Sequence, residues 1–240
     1  MVKKGLILFI CFIHFNVSAQ EPDSVVLHVF NLIYNQQFDK ADSLIKVQKG
    51  ESNQFYLNIL NLDLYWWRYS ISRTRTNARN LVGVMDNFNH EPAGTTEYKI
   101  KHLIKSSYRL RYDMKRYNLI GAIILRNKVT AEIRDLENEE ISLTGTGLKV
   151  YQLYLTLFQY FDLISNPFFI DRNSQSHLHI LTVLEQFSKD KNVIISTMSH
   201  YFLGRIYMTL EDDQAKGKEH FSYLADKYPQ NCFFAEQAEK

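Results

Sequence analysis

Along most of this chain, apolar residues return every three or four positions with polar residues between them. Val25, Val26, Val29, Phe30, Leu32 and Ile33 share one broad helical face, and Phe38, Ala41, Leu44 and Ile45 repeat it after Asn35-Gln36-Gln37. The two stretches read as a helical hairpin. The same spacing predicts helices near 53–72, 75–89, 96–112, 115–138, 148–165, 175–188, 191–210 and 214–228, and a terminal helix holding Cys232, Phe233 and Phe234 as apolar residues. No segment alternates convincingly with the period of two that a half-buried strand requires. Leu148 to Ile164 is apolar nearly all round, with Lys149, Gln152, Thr156 and Gln159 supplying a narrow polar stripe. Such a helix is covered on two sides. Breakers at Pro22, Gly50, Glu91-Pro92-Ala93-Gly94, Gly145 and Gly147, Asn166-Pro167 and Pro229 separate intervals of one or two helices each. Gly145-Thr146-Gly147 reads as a flexible turn ahead of a helix.

About ten helices with short connections define an all-α fold, either an α-solenoid or a compact helical bundle. The series Leu203-Gly204, Tyr207, Gly217, Phe221 and Pro229 resembles a tetratricopeptide repeat, and Phe38-Asp39-Lys40-Ala41 with Ile45 is similar to the start of its second helix. The Met114-Lys115-Arg116-Tyr117 turn followed by Ile120 and Ile124 gives a fainter echo of the same unit. Two departures stand beside the match: the Glu211-Asp212-Asp213 turn is one residue long for the family, and Gly217 replaces the usual Ala. The resemblance implies an irregular solenoid of about five antiparallel hairpins, in which Gly204 lets two helices lie close. It also implies a concave face that holds an extended peptide or a partner helix.

Composition narrows the class further. With 45% hydrophobic residues, 9 Gly and 4 Pro in 240 residues, the chain is neither disordered nor collagen-like nor a turn-rich sandwich. Lys3 and Lys4 precede an apolar run from Leu6 to Ile13, and Val17-Ser18-Ala19 follows. That series reads as a signal peptide over 1–19, cleaved after Ala19, because a membrane span needs ~20 apolar residues. The bulky Ile10 ahead of Cys11 argues against a lipid anchor. The expectation is therefore one helical domain over 20–240, periplasmic or secreted, with no transmembrane segment in the mature chain. Cys232 would then be its only cysteine, which excludes an internal disulfide and any multi-cysteine metal site.

The search for chemistry is mostly negative. There is no His-Glu-x-x-His, Gly-x-Ser-x-Gly or phosphate loop, and Ser43-Leu44-Ile45-Lys46 lacks the companion motifs of penicillin-recognising enzymes. His177-Leu178-His179 places two rings ~200° apart on a helix, too divergent for one metal. His200 and His220 fall on the two helices of the repeat-like unit. No catalytic residue, metal ligand or cofactor site is expected.

Charge is what stands out. From Arg68 to Lys128 there are 13 basic residues against Asp86, Glu91, Glu97 and Asp113, a net +9, and the rest of the mature chain carries −9. Lys101, Lys105 and Arg109 recur every four residues, so they form a stripe, with Arg116 beyond it. The stripe suits an anionic partner such as an acidic peptide, a lipid head group or an anionic glycan; the alternative is a solvated face paired with the acidic ends. Trp66 and Trp67, beside Arg68 and Arg73, point to different sides of a helix: the default is that both are structural, and the alternative puts one in the core and the other on a groove suited to stacking, a partner-binding position. Taken together, the residues predict a non-enzymatic envelope protein that recruits a protein or peptide partner. Nucleic acid is a poor fit to an exported chain without a recognisable module. A glycan-binding accessory protein and an envelope enzyme are the alternatives.

Overall fold

The computed structural model describes residues 22–48, 54–88, 92, 94–136, 139, 141, 143–164 and 174–240. Among these residues all regular structure is helical: α1 Ser24–Tyr34, α2 Phe38–Val47, α3 Gln54–Ser72, α4 Arg75–Asp86, α5 Thr96–Lys115, α6 Leu119–Leu136, α7 Gly145–Ile164, α8 Gln175–Ser188, α9 Val193–Thr209, α10 Gln214–Lys227 and α11 Cys232–Glu239. The signal-peptide reading lies outside the described residues. Side chains close most helix starts by accepting backbone N–H groups that have no intrahelical partner. Asp23 caps α1, Thr74 α4, Thr95 α5, Ser174 α8, Asn192 α9, Asp213 α10 and Asn231 α11. Gly145-Thr146-Gly147 is not a free turn. It forms the first residues of α7, entered through a left-handed Gly145 at φ +53°.

The helices divide into two sets. Each odd-numbered helix from α1 to α9 packs on the next odd-numbered one, and each even-numbered helix packs on the odd helix before it and the one after it. Burial follows the same division. α3, α5, α7 and α9 carry long runs of enclosed residues, whereas α2 buries Ala41 and α4 buries Leu81 and Met85. The odd helices are thus the inner layer. Four hairpin turns share one backbone device, a non-glycine residue in the left-handed region just past the inner helix: Gln36, Arg73, Tyr117 and Asp212, at φ +50° to +59°. After α1 and α5 the following residue donates back five positions, Gln37 N–H to the Leu32 carbonyl at 2.8 Å and Asn118 N–H to Asp113 at 2.9 Å.

A polar knot sits in the centre of the inner layer. Asp63 of α3 accepts the Tyr108 hydroxyl of α5 at 2.7 Å, and that hydroxyl lies 2.9 Å from Tyr154 Oη of α7. Burial pushes the Asp63 carboxyl above its usual range, while Tyr108, Arg111 and Tyr34 pull it back toward the charged form. Beside the knot the C-terminal end of α1 meets the segment that opens α11. Asn231 Nδ2 donates to the Tyr34 carbonyl at 2.8 Å and Gln36 Nε2 donates to Asn231 Oδ1 at 2.7 Å. Tyr34 packs on Tyr228 and Phe234, and Trp67 on Tyr201, Phe233 and Phe234. Cys232 lies in a terminal helix, as expected. It opens α11 with an exposed thiol, 3.4 Å from Gln36 Oε1.

α9 and α10 cross at glycine. A methyl group at Gly204 would stand 2.8 Å from Phe221 Cε2, and one at Gly217 would stand 2.2 Å from Met208 Cγ and 3.2 Å from the Gly204 carbonyl oxygen. Next to the crossing His200 and His220 meet, Nδ1 to Nδ1 at 2.9 Å. One ring must donate and the other accept, so the pair cannot be doubly protonated in this geometry. His200 stacks on Tyr223 and His220 on Tyr207, with Glu185 3.5 Å from His220 Nε2. Burial, His220 and Lys227 push His200 down to about 4.

Two outcomes follow from this packing. Gly204→Leu should overpack the crossing and cost ~1–3 kcal/mol, and Phe221→Ala should cost ~3–5 kcal/mol through the cavity it leaves. Urea midpoints equal to wild type for both would contradict the close crossing. Because His200 is harder to protonate when folded than when unfolded, its contribution is complete above the model-peptide value of 6.5 and is lost as pH falls from there toward about 4. The unfolding midpoint should therefore drop over that interval, and drop less in His200→Phe; identical pH profiles would remove the pair as a cause.

Candidate partner-binding surface

The basic stripe does not survive folding as a uniform solvated row. Lys101 is only 7% exposed, with its ammonium 3.0 Å from Glu97 Oε1. Arg109 Nε lies 3.2 Å from Asp113 Oδ2 and its guanidinium 5.7 Å from the Tyr112 ring. Lys105 is half-buried. Arg116 alone of the four is exposed, donating to the Tyr112 hydroxyl at 2.7 Å. The reason is helical phase: α5 is an inner helix, so a four-residue repeat on it turns partly toward the neighbours instead of toward water. Beyond the stripe, Arg68 is held by Asp39 at 2.7 Å, Arg126 by Asp162 at 2.8 Å, and Lys99 by Glu139. Much of the central positive charge is matched inside the protein.

The tryptophans are corrected in the same direction. Trp66 and Trp67 are both 2% exposed, so neither lies open on a groove. α3 is enclosed on opposite sides, by α5 at Trp66 and by α9 and α11 at Trp67, where Tyr108 on one side and Tyr201 and Phe234 on the other supply the ring contacts. The divergence of His177 and His179 holds: His177 Nε2 is buried 2.9 Å from Glu211 Oε1, and His179 is exposed. No metal-binding group of three or more His, Cys, Asp or Glu side chains occurs among the described residues.

What the fold leaves uncovered is an apolar face at the α5–α6 turn. Met114, Tyr117, Leu119, Ile120, Ile123 and Ile124 are all exposed, Tyr117 at 88% and Ile120 at 76%. Ile120 and Ile124, which the repeat resemblance would place in a core, project outward. The opposite side of α6 is the packed one, through Ala122, Val129, Ile133 and Leu136. The first turns of α6 are thus apolar all round while only one side is covered. Isolated exposed apolar residues are ordinary, but a group of this size on one helix start is a candidate interaction surface. No acidic residue occurs from Met114 to Ala131, and Arg116 and Lys128 flank the face with exposed positive charge. The sequence held a signal for this surface: an acid-free, isoleucine-rich run directly after a basic turn.

Two clefts complete the surface. Asn58, Asn61, Tyr65, Arg79, Asn80 and Asn87 line an open cleft of about 380 Å³ between α3 and α4. Between α8 and α9 a second of about 470 Å³ carries Glu185, Tyr207, Glu211 and Asp213, with Lys216 Nζ 5.0 Å from the Tyr207 ring centre. Among the described residues no helix is long and apolar enough to cross a membrane. No family model, curated protein or solved structure matches the chain.

Proposed function

We propose that this chain is an exported, non-enzymatic adaptor, a tetratricopeptide-like solenoid of five hairpins that recruits a partner protein through the free face of α6. The solenoid reading draws support from the packing order of odd and even helices and from the left-handed residue repeated at four hairpin turns; the contacts of Tyr34 and Trp67 with Tyr228, Tyr201 and Phe234 close the first hairpins onto the last and favour the compact bundle instead. The export reading rests on the Lys3-Lys4, Leu6-to-Ile13 and Val17-Ser18-Ala19 series.

The observation that carries the function is the exposed group Tyr117, Leu119, Ile120, Ile123 and Ile124 in the α5–α6 turn and the first turns of α6, a stretch with no acidic residue before Glu132. Its partner is an amphipathic segment whose apolar side chains cover the isoleucines and whose carboxylates meet Arg116 and Lys128. A lipid surface fits less well, because adsorption to anionic membranes takes clusters of roughly four to eight free cations, and Arg126 beside this face is already paired with Asp162. The amide-rich α3–α4 cleft favours a second reading, a glycan-binding accessory protein, in which Asn58, Asn61 and Asn80 would hydrogen-bond sugar hydroxyls.

Photo-crosslinking in intact cells tests the first reading. A crosslinker at Ile120 should join the chain to one defined protein, a crosslinker at exposed Thr182 should not, and Ile124→Asp should abolish the adduct while leaving helical content unchanged. Adducts to lipid alone, or equal yields from both positions, would contradict it. Retention on a polysaccharide that disappears in Asn61→Ala would move the function to the cleft.

A further inference from the structure

The α6 face does not use a second group of cations, gathered at one end of the inner helices. Arg111 of α5 lies with its guanidinium 4.6 Å from the Trp66 ring, 4.2 Å from Tyr108 and 5.3 Å from Phe202. One turn on, the Lys115 ammonium is 5.2 Å from the same Trp66 ring. Helical spacing brings two more arginines to this end: Arg73 stands seven residues after Trp66, where α3 ends, and Arg205 three residues after Phe202 on α9. None of these four side chains is in an ion pair with a carboxylate among the described residues.

Two donors there are enclosed and lack a hydrogen-bond partner, Arg111 Nη2 and the indole Nε1 of Trp66, the latter on a side chain 2% exposed. An unused buried donor is costly, about 1–3 kcal/mol, and uncommon in folded proteins. Lys115 is pushed down to about 8 by burial and by Arg73, Arg205 and Arg111 together. Asp63 acts on Arg111 from the knot without an ion pair between them; its Oδ1 accepts Tyr108, and its Oδ2 is enclosed without a hydrogen-bond partner.

Basic residues at helix C-termini can serve only to complement the helix dipole. That accounts for Arg73 and Lys115, which end α3 and α5. Arg111 and Arg205 lie inside their helices and fall outside that explanation. We infer that Trp66, Arg73, Arg111, Lys115 and Arg205 form a binding site for a doubly charged oxyanion, a phosphate or phosphate-monoester group. A lone carboxylate supplies one charge against four cations, whereas a phosphate supplies about two, with several acceptor oxygens for guanidinium donors. The site is independent of the proposed partner face.

The test uses inorganic phosphate with the full chain, read as thermal stabilisation at constant ionic strength against chloride. Phosphate should raise the melting temperature saturably. Lys115→Gln and Arg205→Gln, both at the rim, should each weaken the apparent affinity about tenfold or more, as loss of one charge-assisted hydrogen bond does. Wild-type affinity should also fall from pH 7 to pH 9 as Lys115 loses its proton, since Arg73, Arg111 and Arg205 stay charged. A second arm uses phosphatidic acid vesicles against phosphatidylcholine vesicles: cosedimentation with the first alone, lost in Lys115→Gln, assigns the phosphate to a lipid head group. No response to phosphate or to phosphatidic acid, or a response unchanged in both variants, would overturn the site.

Discussion

A carboxylate enclosed in the middle of a helical protein must find hydrogen-bond donors, and that requirement at Asp63 organises the inner layer. Tyr108 brings α5 to it, Tyr154 joins from α7, and Tyr34 and Arg111 add a further hydroxyl and a positive charge. Three long helices are thereby fixed relative to one another by polar geometry and not by apolar packing alone. Buried polar groups of this kind need not raise stability over an apolar core, yet removing one partner is expensive because it strands the others.

The consequences run outward from the knot. With Arg111 drawn toward Asp63, its guanidinium spreads over Trp66, Tyr108 and Phe202, and the space between the inner helices is filled by the protein's own rings. Trp67 continues the aromatic packing to Tyr201, Phe233 and Phe234, and Asn231 ties the C-terminal helix to the turn after α1. An inner surface filled in this way offers little room for a peptide at its centre. The proposed recognition face lies instead on the outer helices, where one side of α6 stays apolar and exposed. The proposed phosphate site at the ends of α3 and α5 would lie where the inner packing stops, and its cations form no ion pair with a carboxylate among the described residues.

Much of the fold was legible from spacing. The limits of α3 and α8, the enclosed character of α7 and the contact of Gly204 with Phe221 all follow from where apolar residues and glycine fall. Side-chain fate was legible only where it depended on one helix. Lys101 and Arg109 looked like a solvent row because periodicity reports phase along a helix, while their pairing depended on which neighbours α5 would meet. Trp66 and Trp67 point apart, which left a groove position open to one of them beside the structural default for both; a helix enclosed on two sides buries both directions. Arg111 and Lys115 went unnoticed since their significance lies in Trp66, Arg73 and Arg205, which come from other helices. His200 and His220 are 20 residues apart, and only the close crossing of α9 and α10 brings their rings together.

The claim on which the rest stands is that Asp63 and Tyr108 act as one unit holding α3 to α5. A double-mutant cycle of Asp63→Asn and Tyr108→Phe, measured by urea unfolding, isolates that coupling. The account predicts non-additivity above about 1 kcal/mol, since the residues share a hydrogen bond in an enclosed network. Additivity within about 0.5 kcal/mol would contradict it and leave the inner layer to apolar packing alone.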